Sequence, residues 1–288
     1  MVQLGFIGLG VMGKSMAKHL LQAGHPVIVY TRTADKAQEL LALGAEWAET
    51  PQAVAQQADI VFTIVGYPKD VEEVYLGERG LFAGSRAGQI FVDMTTSTPA
   101  LAQRLFAEGV ASGVHILDAP VSGGDLGARE GRLTTMVGGE PEIFERVRPY
   151  LDCFSAKVRL QGGAGAGQHT KMANQIMIAG TMVGMTELLV YAQAAGLDLP
   201  SVIDTVGAGS AGNWSLMNYA PRILQEDYSP GFFAKHFLKD LEIALSEAER
   251  MALNLPGTAL AAQLYRQLCE KGHENNGTQA LIKLWWAK

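Results

Sequence analysis

Short apolar runs recur through the first half of the chain, each followed by a longer stretch whose apolar positions return at helical spacing. The runs are Leu4-Ile7, Val27-Tyr30, Ile60-Val65, Ile90-Asp93 and His115-Asp118. A strand sends alternate residues to opposite faces, so a run that stays apolar predicts a strand covered on both sides. Strands of this kind alternating with helices predict a doubly wound parallel sheet. Helix starts stand where this reading needs them: Thr50-Pro51 and Thr98-Pro99 each offer a capping oxygen followed by proline in the first turn. Two further runs, Leu133-Val137 and Val158-Leu160, flank a helix expected from Pro141 and extend the sheet.

The pattern changes after Gly162-Gly163-Ala164-Gly165-Ala166-Gly167. From His169 to about Ala195 no proline or strand signal intervenes, which predicts one helix of roughly 40 Å, the spine of a second domain. Within it, Ile176-Met185 is expected to be a buried helical stretch, since it falls short of the roughly 20 apolar residues a bilayer requires and soon meets Glu187. Ala234-Met251 and Thr258-Lys271 continue at helical spacing, separated by the stop-and-restart signal Asn254-Leu255-Pro256-Gly257. The expected architecture is an α/β domain over 1–162 joined by a long helix to an all-helical domain over 163–288.

Composition narrows the function classes. At 288 residues and 48% hydrophobic, the chain can bury two cores. Its formal charge of -6 is spread along the chain, without a lysine or arginine run to line a phosphate backbone, so nucleic-acid binding is not expected. Cys153 and Cys269 stand alone, outside any disulfide or Cys/His metal spacing, so no metal is expected and a reducing cytoplasm fits. Val2 to Ile7 runs straight into the first strand pattern, without a basic stretch or cleavage site for export, and no membrane span is expected.

Candidate chemistry begins at Gly8-Leu9-Gly10-Val11-Met12-Gly13, a GxGxxG pattern between a predicted strand and a predicted helix. In that context the glycines serve a tight turn, a pyrophosphate's approach to the backbone and close helix packing, the signature of a Rossmann dinucleotide site. The second strand ends at Tyr30-Thr31-Arg32-Thr33, where an NAD site would usually place a carboxylate for the ribose hydroxyls. Arg32 could pair there with a 2'-phosphate, favouring NADP over NAD, or it could be a solvated turn residue. Asp118-Ala119-Pro120-Val121-Ser122-Gly123-Gly124 follows a buried strand; its Ser-Gly-Gly turn could hold a carboxylate on backbone N–H groups, or be a tight turn and no more. Lys171 lies early in the long helix with Asn174 at i+3 and Gln175 at i+4, so the three side chains can address one region of space, and the lysine and the two amides could bind one substrate. A lone helical lysine is usually a solvated charge; beside a nicotinamide, a desolvated one can protonate a carbonyl oxygen as hydride arrives and take the proton back in reverse.

Four segments together resemble the β-hydroxyacid dehydrogenase family, the group of 3-hydroxyisobutyrate dehydrogenase and 2-hydroxy-3-oxopropionate reductase, over essentially the whole length. They are Phe6 to Gly13, Asp118 to Gly139, Gly165 to Asn174, and Lys239-Asp240-Leu241. The resemblance implies that Lys171 is the catalytic acid/base, that Asn174 orients the substrate, and that Ser122, Gly123 and Gly124 bind its carboxylate. It implies cofactor contacts from Thr95 or Thr96, places Lys239 on the nicotinamide side with Asp240 nearby, and implies a dimer or tetramer. Without it, Lys239 and Asp240 read as a surface ion pair. Many family members carry asparagine where Gln175 stands, so the resemblance carries over the lysine's role more directly than the detailed hydrogen bonding around the substrate. The expected activity is hydride transfer between NADP(H) and a small β-hydroxy acid or its semialdehyde, NAD being the alternative cofactor. Rival readings are an imine reductase, against which Lys171 counts; a 6-phosphogluconate dehydrogenase, for which the helical part to Trp285-Trp286 is small; and a non-catalytic NADP-binding module. Trp214, Met217, Phe232 and Phe233 could shape a substrate pocket, or serve as ordinary core.

Overall fold

A computed structural model describes residues 2–286. The strands are β1 (Leu4–Ile7), β2 (Val27–Tyr30), β3 (Glu46–Trp47), β4 (Ile60–Thr63), β5 (Ile90–Asp93), β6 (His115–Asp118), β7 (Val121–Ser122), β8 (Leu133–Gly138) and β9 (Ser155–Gly162). The helices are α1 (Gly13–Gln22), α2 (Gln38–Ala42), α3 (Pro51–Gln57), α4 (Pro68–Leu76), α5 (Pro99–Ser112), α6 (Gly124–Arg129), α7 (Pro141–Leu151), α8 (Ala166–Ala194), α9 (Leu199–Gly207), α10 (Trp214–Leu224), α11 (Ala234–Arg250) and α12 (Pro256–Leu268).

All nine strands form one sheet in the order β3-β2-β1-β4-β5-β6-β8-β7, with β9 paired to β8. From β3 to β6 the pairing is parallel; β8 then runs antiparallel to β6 and β7, and β9 parallel to β8. The first six strands thus have the order of a dinucleotide-binding sheet. Alternate residues feed two cores: Phe6, Val29, Phe62 and Val92 pack on one face, Ile7, Ile28, Val61 and Phe91 on the other. That double burial is why the strands read as unbroken apolar runs. The predicted caps formed, the Thr50 hydroxyl accepting from Ala53 N and Thr98 from Leu101 N, each at 3.1 Å. The pattern missed β3 and β7, whose two-residue strands are too short to show an alternation.

The chain divides into two compact units at Lys171/Met172, inside α8. The first turn and a half of the helix belongs with the sheet because it is hydrogen-bonded to it, as described below. The second unit is all-helical around Met182, Leu189, Leu216, Phe237, Leu241 and Tyr265. Ile176-Met185, expected to be a buried helical stretch, is buried on one face: Ala179, Met182 and Met185, with Leu189 beyond them, enter this core, whereas Met177 is 68% exposed, as Tyr191 further on is 75%. By length and composition α8 could cross a membrane; its packed face reads it as the core helix of the unit.

Candidate active site

The turn from β1 to α1 has the shape a dinucleotide needs. Gly8 has φ +97°, and a Cβ there would overlap the Ile64 carbonyl oxygen, so only glycine makes this turn. A Cβ on Gly13 would overlap the Gly8 oxygen, so the third glycine sets how closely α1 approaches the strand. At Gly10 nothing lies within 4 Å of the position a Cβ would take, and Gly10 and Val11 are exposed. Open space over the second glycine, beside first-turn amides that lack intrahelical partners, fits a pyrophosphate. Leu9 is buried and Met12 packs against the core, so these two offer the site backbone only.

At the end of β2, Arg32 is 71% exposed and its guanidinium donates at 3.1 Å to Asp70 Oδ1, a carboxylate only 8% exposed. The other Asp70 oxygen accepts from Tyr67 N at 3.1 Å, so Asp70 both caps α4 and steadies Arg32. Thr31 is half-buried and Thr33 exposed beside it. Sequence reasoning missed Asp70, since nothing in a local pattern links it to an arginine in the loop after β2.

Beyond β5, Thr95 is fully committed: its hydroxyl accepts from Val65 N (3.0 Å), its N–H donates to Asp93 Oδ1 (3.0 Å), and its carbonyl accepts from Gln168 Nε2 (2.7 Å). Thr96 is half-buried next to it. Burial pushes the Tyr75 phenol well above its usual range, with the Asp93 carboxylate adding to the effect. Beyond β6, Ser122 ends β7 opposite Thr134, Gly123 is exposed, and Gly124 opens α6.

Lys171 stands in the second turn of α8, only 6% exposed, where an amine of this kind is found mainly when function or pairing keeps it. The helix begins on a distant carboxylate, Asp118, whose Oδ1 accepts from Gly165 N at 2.7 Å and Oδ2 from Gln168 N at 2.8 Å. Burial pushes the Asp118 carboxyl up from its usual value, against the downward pull of these backbone N–H groups.

In the helical unit, Asn174 Nδ2 donates to Gln175 Oε1 (2.7 Å), Gln175 Nε2 donates to Asp240 Oδ2 (2.7 Å), and Lys239 Nζ lies 3.0 Å from Asp240 Oδ1. Both polar ends of Gln175 are therefore engaged within the protein, and it orients Asn174. Lys239 and Asp240 form an ion pair, as the bare sequence suggested, but not a surface one: their side chains are 13% and 1% exposed. Trp214 and Met217 are exposed, while Phe232 packs against the helical core.

Residues 3–163 match the family described as the NAD binding domain of 6-phosphogluconate dehydrogenase, and residues 165–285 the family described as NAD-binding of NADP-dependent 3-hydroxyisobutyrate dehydrogenase. The chain is 48% identical to a probable 3-hydroxyisobutyrate dehydrogenase-like protein of Arabidopsis thaliana, over 97% of this chain and 84% of that protein. It is 40% identical to the 2-hydroxy-3-oxopropionate reductase of Escherichia coli, over 98% of this chain and 96% of the relative. Among solved structures, Mycobacterium tuberculosis 3-hydroxyisobutyrate dehydrogenase with L-serine superposes with a TM-score of 0.90 at 30% identity, covering 100% of both chains. The protein is an oxidoreductase that uses a nicotinamide cofactor, and it belongs to the β-hydroxyacid dehydrogenase family.

Proposed function

We propose that this enzyme catalyses reversible hydride transfer between NADP(H) and a small β-hydroxy acid or its semialdehyde, with Lys171 as the acid/base. The observation that carries the reading is the burial of Lys171 in a helix whose start is bonded to the carboxyl ends of β5 and β6, where ligands of open parallel sheets gather. When bound, the nicotinamide supplies or accepts the hydride. The chain's own groups do the rest. Lys171 gives a proton to the substrate oxygen in reduction and removes it in oxidation, a role favoured by its low exposure to water. Ser122 and the amides of Gly123 and Gly124 hold the carboxylate, and Asn174, steadied by Gln175, orients the substrate. Lys239 serves the nicotinamide side, held by Asp240. Arg32, steadied by Asp70, takes the 2'-phosphate and gives the preference for NADP.

The test follows NADPH and NADH absorbance with succinic, tartronate and methylmalonate semialdehydes and glyoxylate. One of these is expected to consume NADPH faster than NADH. Lys171→Ala should lower kcat by about 10²- to 10⁴-fold while cofactor binding persists. Undiminished turnover in that variant, or no turnover of the whole panel although both cofactors bind, would overturn the reading.

The exposed face of α8, with Met177 and Tyr191 flanking Gly180 and Gly184, where nothing beyond the local helix backbone lies within 4 Å of a Cβ position, supports a homodimer or homotetramer built on this helix. Light scattering that gives the mass of one chain at micromolar concentration would exclude it.

A further inference from the structure

The start of α8 is held in an unusual way. A helix leaves its first N–H groups unsatisfied, and a serine, threonine or aspartate just before it commonly supplies the missing oxygen. Here the local residues are Gly163, Ala164 and Gly165, none with a side-chain acceptor. The cap comes instead from Asp118 at the end of β6, bonded to the N–H groups of Gly165 and Gln168. The approach is close enough to exclude side chains: a Cβ on Gly167 would lie 2.6 Å from the Asp118 carbonyl oxygen and 2.8 Å from Oδ2. One on Gly138, beside Asp118 in the sheet, would overlap Oδ1.

Gln168 adds a second tie. Fully buried, it accepts from Ser97 N at 2.9 Å through Oε1 and donates to the Thr95 carbonyl at 2.7 Å through Nε2. Only this orientation of the amide pairs both groups. Three segments thus meet in buried hydrogen bonds: the loop after β5, the first residue of the Asp118-Gly124 segment, and the first turn of α8. A local cap would stabilise the helix equally well without fixing where it stands. Two ties, one from the end of β6 and one from the loop after β5, fix its position as well, and Lys171 follows Gln168 by three residues, on the same side of the helix.

We propose that Asp118 and Gln168 are positioning residues that set where the Lys171 amine stands relative to the carboxyl edge of the sheet. The proposal rests on the reading of Lys171 as acid/base.

The test is Gln168→Met, which keeps length and removes both bonds, assayed with NADPH and whichever semialdehyde of the panel turns over fastest. kcat should fall by about 10- to 100-fold, the scale of a misplacement near 1 Å, with KM within about threefold of wild type. In a Lys171→Ala background the same change should cost nothing further. Gln168→Glu provides a second variant should Gln168→Met fail to fold. Its carboxyl faces the Thr95 carbonyl, with the Asp118 carboxylate bonded to the backbone at the same position, so its neutral form is favoured and reproduces the donor and acceptor of the amide. Relative to wild type, Gln168→Glu should therefore be most active at acid pH and lose activity as pH rises through the pKa of the new group. Wild-type kcat in Gln168→Met, a repeated loss in the Lys171→Ala background, or a Gln168→Glu ratio flat with pH would each overturn the anchor. Undiminished kcat in Lys171→Ala sinks the reading of the lysine itself, whereas a dead Lys171→Ala beside an unimpaired Gln168→Met sinks the anchor alone.

Discussion

Two groups of buried polar residues, one in the sheet unit and one in the helical unit, are satisfied by different means. In the sheet unit Asp118, Gln168 and Thr95 are paired with backbone N–H and C=O groups supplied by the fold. In the helical unit Asn174, Gln175, Asp240 and Lys239 are paired with one another. Backbone partners persist whatever the neighbouring side chains are. A side-chain relay fails at any member, and one ending in a buried charge fails at greater cost. The first unit therefore offers a frame tolerant of substitution away from its glycines, and the second a set of residues that depend on each other.

The largest effect should come from the relay. Asp240→Ala strands Lys239 without its carboxylate and removes the Gln175 acceptor, and should cost about 3–5 kcal/mol in thermal or urea unfolding. A loss below about 1 kcal/mol would mean that water replaces the carboxylate and that the contrast between the units is overstated. Next come the glycines of the frame. Gly8→Ala combines a left-handed backbone with a clash against Ile64, and should destabilise by about 2–5 kcal/mol. Gly10→Ala meets no protein atom and should leave the melting temperature nearly unchanged while weakening cofactor binding by about 10-fold or more, read by fluorescence titration. Equal destabilisation by both changes would show that Gly10 is structural.

A smaller effect is expected at Arg32. Arg32→Ala should reduce the preference for NADPH over NADH by about 10-fold in kcat/KM, about 1.4 kcal/mol, mostly through NADPH. A parallel loss with both cofactors would remove the arginine from phosphate recognition. Smallest of all is Glu39, whose carboxyl Lys18 and Lys14 hold at about 2 against an ordinary 4.5. A lowered carboxylate pKa stabilises the fold above the unfolded value and loses that contribution as pH falls through the folded one. The stability gap between wild type and Glu39→Gln should therefore be small at neutral pH, close between pH 4.5 and about 2, and shrink in high salt because the group is exposed. A gap that is unchanged in high salt would argue against an ionic origin.

Most of the sheet was legible because its signals are local. A strand buried on both faces is apolar throughout, Thr50-Pro51 and Thr98-Pro99 cap helices from adjacent residues, and Gly8, Gly10 and Gly13 answer to a turn within six positions. Two-residue strands such as Val121–Ser122 carry no period to detect. The pairing of Lys239 with Asp240 could be anticipated from adjacency, but not its burial, which depends on what packs over α11. Of the candidate site, Lys171 and the Ser122-Gly123-Gly124 turn were visible as residues in motifs, with the alternatives of a solvated lysine and a plain turn still open.

The sequence by itself determined the order of elements, the glycine turn of the nucleotide site and the presence of a lysine early in a long helix, because each depends on residues a few positions apart. The tertiary structure decided that Arg32 leans on Asp70, that Gln175 is spent on Asp240, and that α8 starts on the carboxylate of Asp118. Those partners lie tens of residues apart in the chain. A hydrogen bond a few ångströms long between them exists only after folding has brought their elements together.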